Sequence, residues 1–146
     1  MKLLNILLAE DNRGDVLLVR QALAEYQIRH ELHVVQDGEQ ALRFIERMGK
    51  PGTAPCPDLL LLDLNLPKVE GQQVLAEFRR HPKCESTPVI VVSSADAPRD
   101  RARMGDLGIS YYFRKPSELD DYMKLGGVIR DVVEGRSRAA MNATRD

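Results

Sequence analysis

The fold of this chain is decided by residues 57–71, which read Pro57-Asp-Leu-Leu-Leu-Leu-Asp-Leu-Asn-Leu-Pro-Lys-Val-Glu-Gly71. The run from Asp58 to Leu62 has the length of a strand and is apolar after its first residue. Such a run is typical of a strand covered on both faces, as in the middle of a parallel sheet. Asp63 then stands at the carboxyl end of the strand, where open α/β sheets place their chemistry. A carboxylate at this point predicts a nucleophile, a metal ligand, or both.

Four further strands are predicted from short apolar runs at 4–9, 31–36, 88–92 and 109–113. Apolar residues at helical spacing fill the intervals and the stretch after the last strand. The predicted helices are one capped by Asp11 or Asn12, one after Asp37, one over about 72–80, one over about 98–107 and one beginning near Ser117. Five strands alternating with five helices predict an α/β fold, with one parallel sheet between two helical layers.

Composition is that of an ordinary globular domain: 146 residues, 43% hydrophobic, 29% charged. We expect one domain over 1–135 and a polar C-terminal tail over 136–146. A net charge of −1 gives no electrostatic reason to expect nucleic acid or an acidic membrane as a partner. No stretch reaches membrane-spanning length, and Cys56 and Cys84 have no metal-binding or redox spacing. These features predict a cytoplasmic protein with free thiols.

Charged and hydroxyl side chains follow several of the predicted strands. Glu10-Asp11, Asp63, Ser93-Ser94 and Lys115 all stand at strand ends, which share one edge in a parallel sheet. If the first and third strands are neighbours, the three carboxylates meet and a cation must relieve their repulsion. Oxygen ligands of this kind suit Mg²⁺. Lys115 and Ser93 could then bind phosphate oxygens, so the pattern predicts a carboxylate that accepts a phosphoryl group.

The motifs resemble those of bacterial two-component response regulator receiver domains. The resemblance is carried by Ala9-Glu-Asp-Asn12, Leu62-Asp-Leu-Asn-Leu-Pro67 followed by Gly71, Val92-Ser-Ser-Ala95 and Lys115-Pro116, and it covers about residues 3–134. It implies a flavodoxin-like doubly wound sheet in the strand order 2-1-3-4-5.

The resemblance also implies the metal and phosphorylation site. Asp63 matches the phosphoacceptor, Asp11 a direct Mg²⁺ ligand and Glu10 a carboxylate that acts on the metal mainly through water. Asn65 matches the position whose backbone carbonyl binds the metal.

Three further residues take roles from the resemblance. Ser93 matches the hydroxyl that moves on phosphorylation, with Ser94 as a small neighbour, and Lys115 matches the lysine that contacts the phosphoryl group. Tyr112 falls where the family has its aromatic switch residue, although the residue alone could equally be a half-buried sheet tyrosine.

The implied partner is a sensor histidine kinase. The Asp63-Leu-Asn-Leu-Pro67 phrase, the insertion before it (49–57) and the lack of an output domain look most like the single-domain regulators paired with phytochromes. Members of that group dimerise, and the surface formed by the fourth predicted helix, the fifth strand and the fifth helix could support a homodimer here. The chain is then not an enzyme, beyond self-phosphotransfer and autodephosphorylation.

Two other classes of function fit the residues less well. A haloacid-dehalogenase-type phosphohydrolase also uses an aspartate at a strand end, but it has a second acid two positions later, where this chain has Asn65. A flavin- or nucleotide-binding protein is disfavoured, because the chain has neither G-x-G-x-x-G nor a P-loop and its first loop is acidic.

Overall fold

A five-stranded parallel sheet forms the centre of the molecule in a computed structural model, which describes residues 3–52, 56–94 and 108–135. The strands are β1 (Leu4–Ala9), β2 (His30–Val35), β3 (Leu59–Leu62), β4 (Val89–Ser93) and β5 (Tyr111–Arg114). Their order is β2-β1-β3-β4-β5, and every neighbouring pair is parallel. The doubly wound fold and its strand order are therefore confirmed, with strand limits that differ from the predicted ones by a residue or two.

Four α-helices flank the sheet within the described residues: α1 (Arg13–Glu25), α2 (Gly38–Arg47), α3 (Gly71–Arg80) and α4 (Leu119–Val133). Asn12 caps α1, since its Oδ1 accepts the Asp15 N–H at 3.0 Å. Asp37 caps α2 in the same way, accepting the Gln40 N–H at 2.8 Å. The predicted helix over 98–107 and the predicted tail over 136–146 lie outside the described residues.

The last helix begins at Leu119, two residues after the predicted start near Ser117. Ser117 is exposed and precedes the helix, which has Glu118 as its N-cap residue and no side-chain cap. Ser117 lies in the connection between β5 and α4. Acidic Asp120 and Asp121 occupy the first turn, where they interact favourably with the positive end of the helix dipole.

The leucine run of β3 contributes to both hydrophobic layers, because successive strand residues point to opposite faces. Leu60 and Leu62 pack in the layer under α2 and α3. Leu59 and Leu61 pack in the layer under α1 and α4. All four leucines are fully buried, as expected for a central strand of a parallel sheet.

Helices α1 and α4 approach closely where α4 has two glycines. A Cβ on Gly126 would lie 2.3 Å from Tyr26 Cδ1 and 2.5 Å from the Ala22 carbonyl oxygen. At Gly127 the nearest atom, Tyr26 Cε2, would be 3.2 Å away. Gly126 therefore lets the two helices pack together, although glycine lowers the intrinsic stability of α4.

The prediction of free thiols is wrong, because the structure pairs Cys56 with Cys84 in a disulfide. Cys56 lies before β3. Cys84 is the last residue of a short 3-10 helix, Pro82–Cys84, which follows α3. Their Cα atoms are 6.6 Å apart although 28 positions separate them in sequence. The pairing follows from the path of the chain, which leaves β3, runs along α3 and returns beside the start of β3.

No helix among the described residues is both long and apolar enough to cross a membrane.

Candidate functional site

The acidic side chains meet at the carboxyl edge of the sheet because β1 and β3 are neighbours. Ala9 pairs with Leu62 in the ladder, so Glu10 and Asp63 are the next residues on adjacent strands. The Asp63 N–H donates to the Ala9 carbonyl at 3.0 Å and continues the ladder by one bond. The register of two apolar strands thus fixes the position of both carboxylates.

Glu10, Asp11 and Asp63 form an acidic trio whose ligand oxygens lie within 4.8 Å of one another. Glu10 and Asp63 are buried, with 1% and 4% of their surface exposed, whereas Asp11 is exposed. Two buried carboxylates beside a third repel one another unless a cation is close. The chemistry of the trio, oxygen atoms alone with one side open to water, fits Mg²⁺.

Lys115 supplies a cation from the loop after β5. Its Nζ lies 2.8 Å from Glu10 Oε1, 2.8 Å from Asp15 Oδ2 and 3.0 Å from Asp63 Oδ2. The Lys115 side chain is only 12% exposed, so these are largely desolvated, charge-assisted hydrogen bonds. Lys115 therefore contacts Asp63, the residue predicted as the phosphoacceptor.

Burial and neighbouring charges shift the pKa values of the site. Burial raises the pKa of Glu10 to about 7, the hydrogen bond from Lys115 opposes this rise, and the charge of Asp63 adds to it. For Lys115, burial acts to lower the pKa, but the hydrogen bonds to Asp15, Glu10 and Asp63 outweigh it and raise the pKa above its ordinary value. Near neutral pH the Lys115 ammonium is thus charged, while the raised pKa leaves part of the Glu10 population protonated.

The loop after β3 holds the second oxygen of Asp63. Asp63 Oδ1 accepts the Asn65 N–H at 3.0 Å, while Asp63 Oδ2 is the oxygen that contacts Lys115. Gly71 keeps this loop tight, since a Cβ there would lie 2.6 Å from Leu64 Cα and 2.9 Å from the Asp63 carbonyl oxygen. This close approach explains why a glycine follows the Leu62–Pro67 motif.

Ser93 and Tyr112 lie on the neighbouring strands β4 and β5. Ser93 ends β4, is fully buried and accepts a long hydrogen bond, 3.5 Å, from Asn65 Nδ2. Tyr112 is 8% exposed and packs in the layer under α2 and α3. It pairs with Val91 in the ladder, two positions before Ser93. Ser93 is thus linked to the loop after β3 through Asn65, whereas Tyr112 lies beside β4 in the sheet.

Asp15 is the site residue that the sequence analysis missed. It lies in the first turn of α1, and its contact with Lys115 spans 100 positions of sequence. The available signal was an acidic residue in the first turn of the helix that follows the pair Glu10-Asp11. A first-turn acid is also common as a favourable charge near a helix start, so this signal alone did not indicate a contact with Lys115.

The family model described as the response regulator receiver domain matches residues 6–125. Response regulator Rcp1 of Synechocystis sp. (strain PCC 6803) is 38% identical over 120 residues, which is 82% of each chain.

Two solved structures agree with the fold. The phosphorylated cyanobacterial phytochrome response regulator RcpA matches with a TM-score of 0.78 and 34% identity, over 89% of this chain and 93% of that one. The Mn²⁺-bound form of Rcp1 matches with a TM-score of 0.78 and 36% identity, over 88% and 92% of the two chains.

Proposed function

Because the chain belongs to the response regulator receiver domain family, we propose that Asp63 accepts a phosphoryl group from a sensor histidine kinase. The observation that carries the proposal is the contact of Lys115 Nζ with Asp63 Oδ2 at 3.0 Å, with Glu10 and Asp11 beside it. A nucleophile, a cation for phosphate oxygens and a set of metal ligands therefore share one edge of the sheet. The domain that carries them spans 1–135, followed by a tail over 136–146.

Receiver domains bind Mg²⁺ in an acidic pocket, and the acidic trio is the place for it in this chain. Glu10, Asp11, Asp63 and the backbone carbonyl of Asn65 would hold the ion, with Glu10 acting mainly through water. Bound there, Mg²⁺ neutralises charge on the transferring phosphoryl group.

The chain's own residues carry the transfer. An Asp63 carboxylate oxygen forms the new bond to phosphorus as the N–P bond of a phosphohistidine breaks, and the electron pair stays on the imidazole nitrogen, which takes up a proton. Lys115 stabilises the negative charge on the phosphoryl oxygens as a point charge. The chain is thus a phosphoryl acceptor, and its own chemistry is limited to self-phosphotransfer and autodephosphorylation.

Ser93 and Tyr112 convert phosphorylation into a change of surface. A phosphoryl group adds about 1.5 to 2 negative charges and new acceptor oxygens. The Ser93 hydroxyl, which accepts a hydrogen bond from Asn65 Nδ2 at 3.5 Å, moves toward one of these oxygens. Tyr112 then fills the space beside β4, which changes the surface that a partner reads.

Acetyl phosphate with Mg²⁺ tests the phosphoacceptor. We expect intact-protein mass spectrometry to detect one added phosphoryl group, which is absent in Asp63→Asn and present in the matched control Asp58→Asn. Asp58 precedes the same strand at its opposite end, where it accepts the Asn5 N–H. Phosphorylation of Asp63→Asn to the wild-type level would refute the assignment. Rapid turnover of many phosphomonoesters would instead favour the haloacid-dehalogenase-type phosphohydrolase, which the family match does not favour.

The partners follow from the relatives. RcpA is a phytochrome response regulator, so a phytochrome-type histidine kinase is the donor that we infer for this chain. Such a kinase takes its phosphoryl group from ATP, which places the exchange in the cytoplasm. The second partner that we infer is another copy of the chain, bound through the side that includes β5 and α4. Light scattering before and after phosphorylation tests this homodimer, and an unchanged monomer mass would refute it.

A further inference from the structure

The Lys115 ammonium has three N–H donors, and each has a carboxylate within reach. The acceptors are Glu10 Oε1 and Asp15 Oδ2, both at 2.8 Å, and Asp63 Oδ2 at 3.0 Å. Two of these carboxylates belong to the acidic trio that could hold a cation, whereas Asp15 does not. The three contacts of Lys115 are therefore not equivalent once a metal and a phosphoryl group enter the site.

Asp15 is well placed to keep its contact. Its backbone N–H donates to Asn12 Oδ1 at 3.0 Å, so the α1 cap fixes the backbone from which the carboxylate extends. The Asp15 side chain is 21% exposed and Lys115 is 12% exposed, which removes much of the solvent screening that weakens surface ion pairs. Their separation of 2.8 Å is typical of a charge-assisted hydrogen bond.

We propose that Asp15 is a positioning residue that holds the Lys115 ammonium at the site while Glu10 and Asp63 serve the metal and the phosphoryl group. This inference rests on the proposed function. An oxygen of Asp63 becomes bonded to phosphorus and Glu10 turns toward the ion, so Lys115 loses full use of two acceptors. Asp15 keeps one donor bound, and the other two N–H groups turn toward the phosphoryl oxygens.

The variant that tests the proposal is Asp15→Asn, which keeps the side-chain shape and removes the charge. The backbone N–H that bonds to Asn12 is unchanged, so α1 is expected to fold. Asp121→Asn is the matched control, because Asp121 also pairs with a lysine, at 3.0 Å, but on the exposed face of α4. Asp15→Glu keeps the charge on a longer side chain, so this variant is expected to retain part of the wild-type rate of phosphorylation.

At saturating Mg²⁺, we expect Asp15→Asn to slow phosphorylation by acetyl phosphate roughly tenfold, as for the loss of a hydrogen bond to a charged group. Asp121→Asn should be within twofold of wild type. In a Lys115→Met background, Asp15→Asn should slow the reaction no further, because the two residues act as one unit. An equal tenfold loss in that background, or no loss in the single variant, would overturn the proposal.

A spectroscopic readout separates this proposal from the function on which it rests. In protein loaded with Mg²⁺ and beryllofluoride, the ¹⁵N signal of the Lys115 ammonium should persist in wild type and be broadened by water exchange in Asp15→Asn. A signal equally sharp in both would overturn the role of Asp15. Failure of wild-type protein to be phosphorylated on Asp63 would instead refute the proposed function, while the ammonium signal of metal-free protein would still report the Asp15 contact.

Discussion

Replacing Lys115 with methionine tests whether the acidic site depends on the Lys115 ammonium. Lys115 contacts Glu10 and Asp63, whose side chains are 1% and 5% exposed. Removing one partner of a buried ion pair costs about 3–5 kcal/mol, because the remaining charge is left uncompensated. Glu10 can relieve part of this cost by taking up a proton, since its pKa is already about 7. We therefore expect a loss near the lower limit, about 3 kcal/mol, at pH 8 in EDTA.

Mg²⁺ should reverse much of that loss. The ion brings two positive charges to the acidic trio from which the ammonium has been removed, and no lysine then competes for the oxygens of Glu10 and Asp63. A ligand that binds only the folded state stabilises it in proportion to the logarithm of its concentration over Kd. Saturating Mg²⁺ should thus stabilise Lys115→Met more than wild type and at least halve the difference between them.

Urea unfolding followed by circular dichroism, with EDTA or Mg²⁺, measures both effects. Lys124→Met is the matched control, because the pair that Lys124 forms with Asp121 is 72% and 50% exposed on its two sides. Such an exposed pair is screened by water and contributes little to stability, so its loss should be small and independent of Mg²⁺. If Lys115→Met were as stable as wild type in EDTA, or lost the same free energy with and without Mg²⁺, the electrostatic account of the site would be refuted.

Three other predictions concern pH and packing. Metal-free protein should lose stability as pH rises from about 4.5 to 7, because the raised pKa favours protonated Glu10 in the folded state. Mg²⁺ should bind more tightly over the same range. In urea titrations, Glu10→Gln should flatten the pH dependence of both the free energy of unfolding and the Mg²⁺ affinity. Tyr122→Phe should be neutral or stabilising by about 1 kcal/mol in the same assay, since the buried Tyr122 hydroxyl has no hydrogen-bond partner among the described residues. Gly126→Ala should destabilise the protein by about 1–2 kcal/mol despite a gain of ~1 kcal/mol in helix propensity, because overpacking against Tyr26 costs more. A more stable variant would contradict the packing argument. Gly127→Ala is the milder control, because its added Cβ would lie 3.2 Å from the Tyr26 ring.

The sheet could be predicted from the sequence because buried strands are recorded locally, as uninterrupted apolar runs. Leu59–Leu62 and Val89–Ser93 are completely buried in the structure, so both faces of each strand need apolar residues. The same information places Glu10 and Asp63 at a common edge of the sheet, since parallel strands end on the same side, but their contact also requires β1 and β3 to be neighbours. The strand order, by contrast, was implied by the family resemblance, because apolar runs do not specify which strands are neighbours.

The features that the sequence did not predict depend on how separate segments cross. The Asp15–Lys115 contact requires α1 and the loop after β5 to meet above the sheet, and neither residue indicates that meeting locally. The Cys56–Cys84 pair is similar, since the prediction of free thiols came from the expected compartment and not from the path of the chain. At Gly126, intrinsic helix propensity disfavours glycine, whereas close packing against Tyr26 and Ala22 requires it.

The electrostatics of the site suggest why its carboxylates are so closely spaced. Glu10 and Asp63 are buried beside Asp11, an arrangement that is unfavourable until a cation neutralises it. In the metal-free chain Lys115 provides that neutralisation, and its contacts are with the same Glu10 and Asp63 oxygens that a metal and a phosphoryl group require. Loading the site must therefore displace the ammonium from two acceptors, and the freed N–H groups are then available to the phosphoryl oxygens. On the proposed function, the position of Lys115 would therefore report the occupancy of the site and would couple phosphorylation of Asp63 to the loop between β5 and α4.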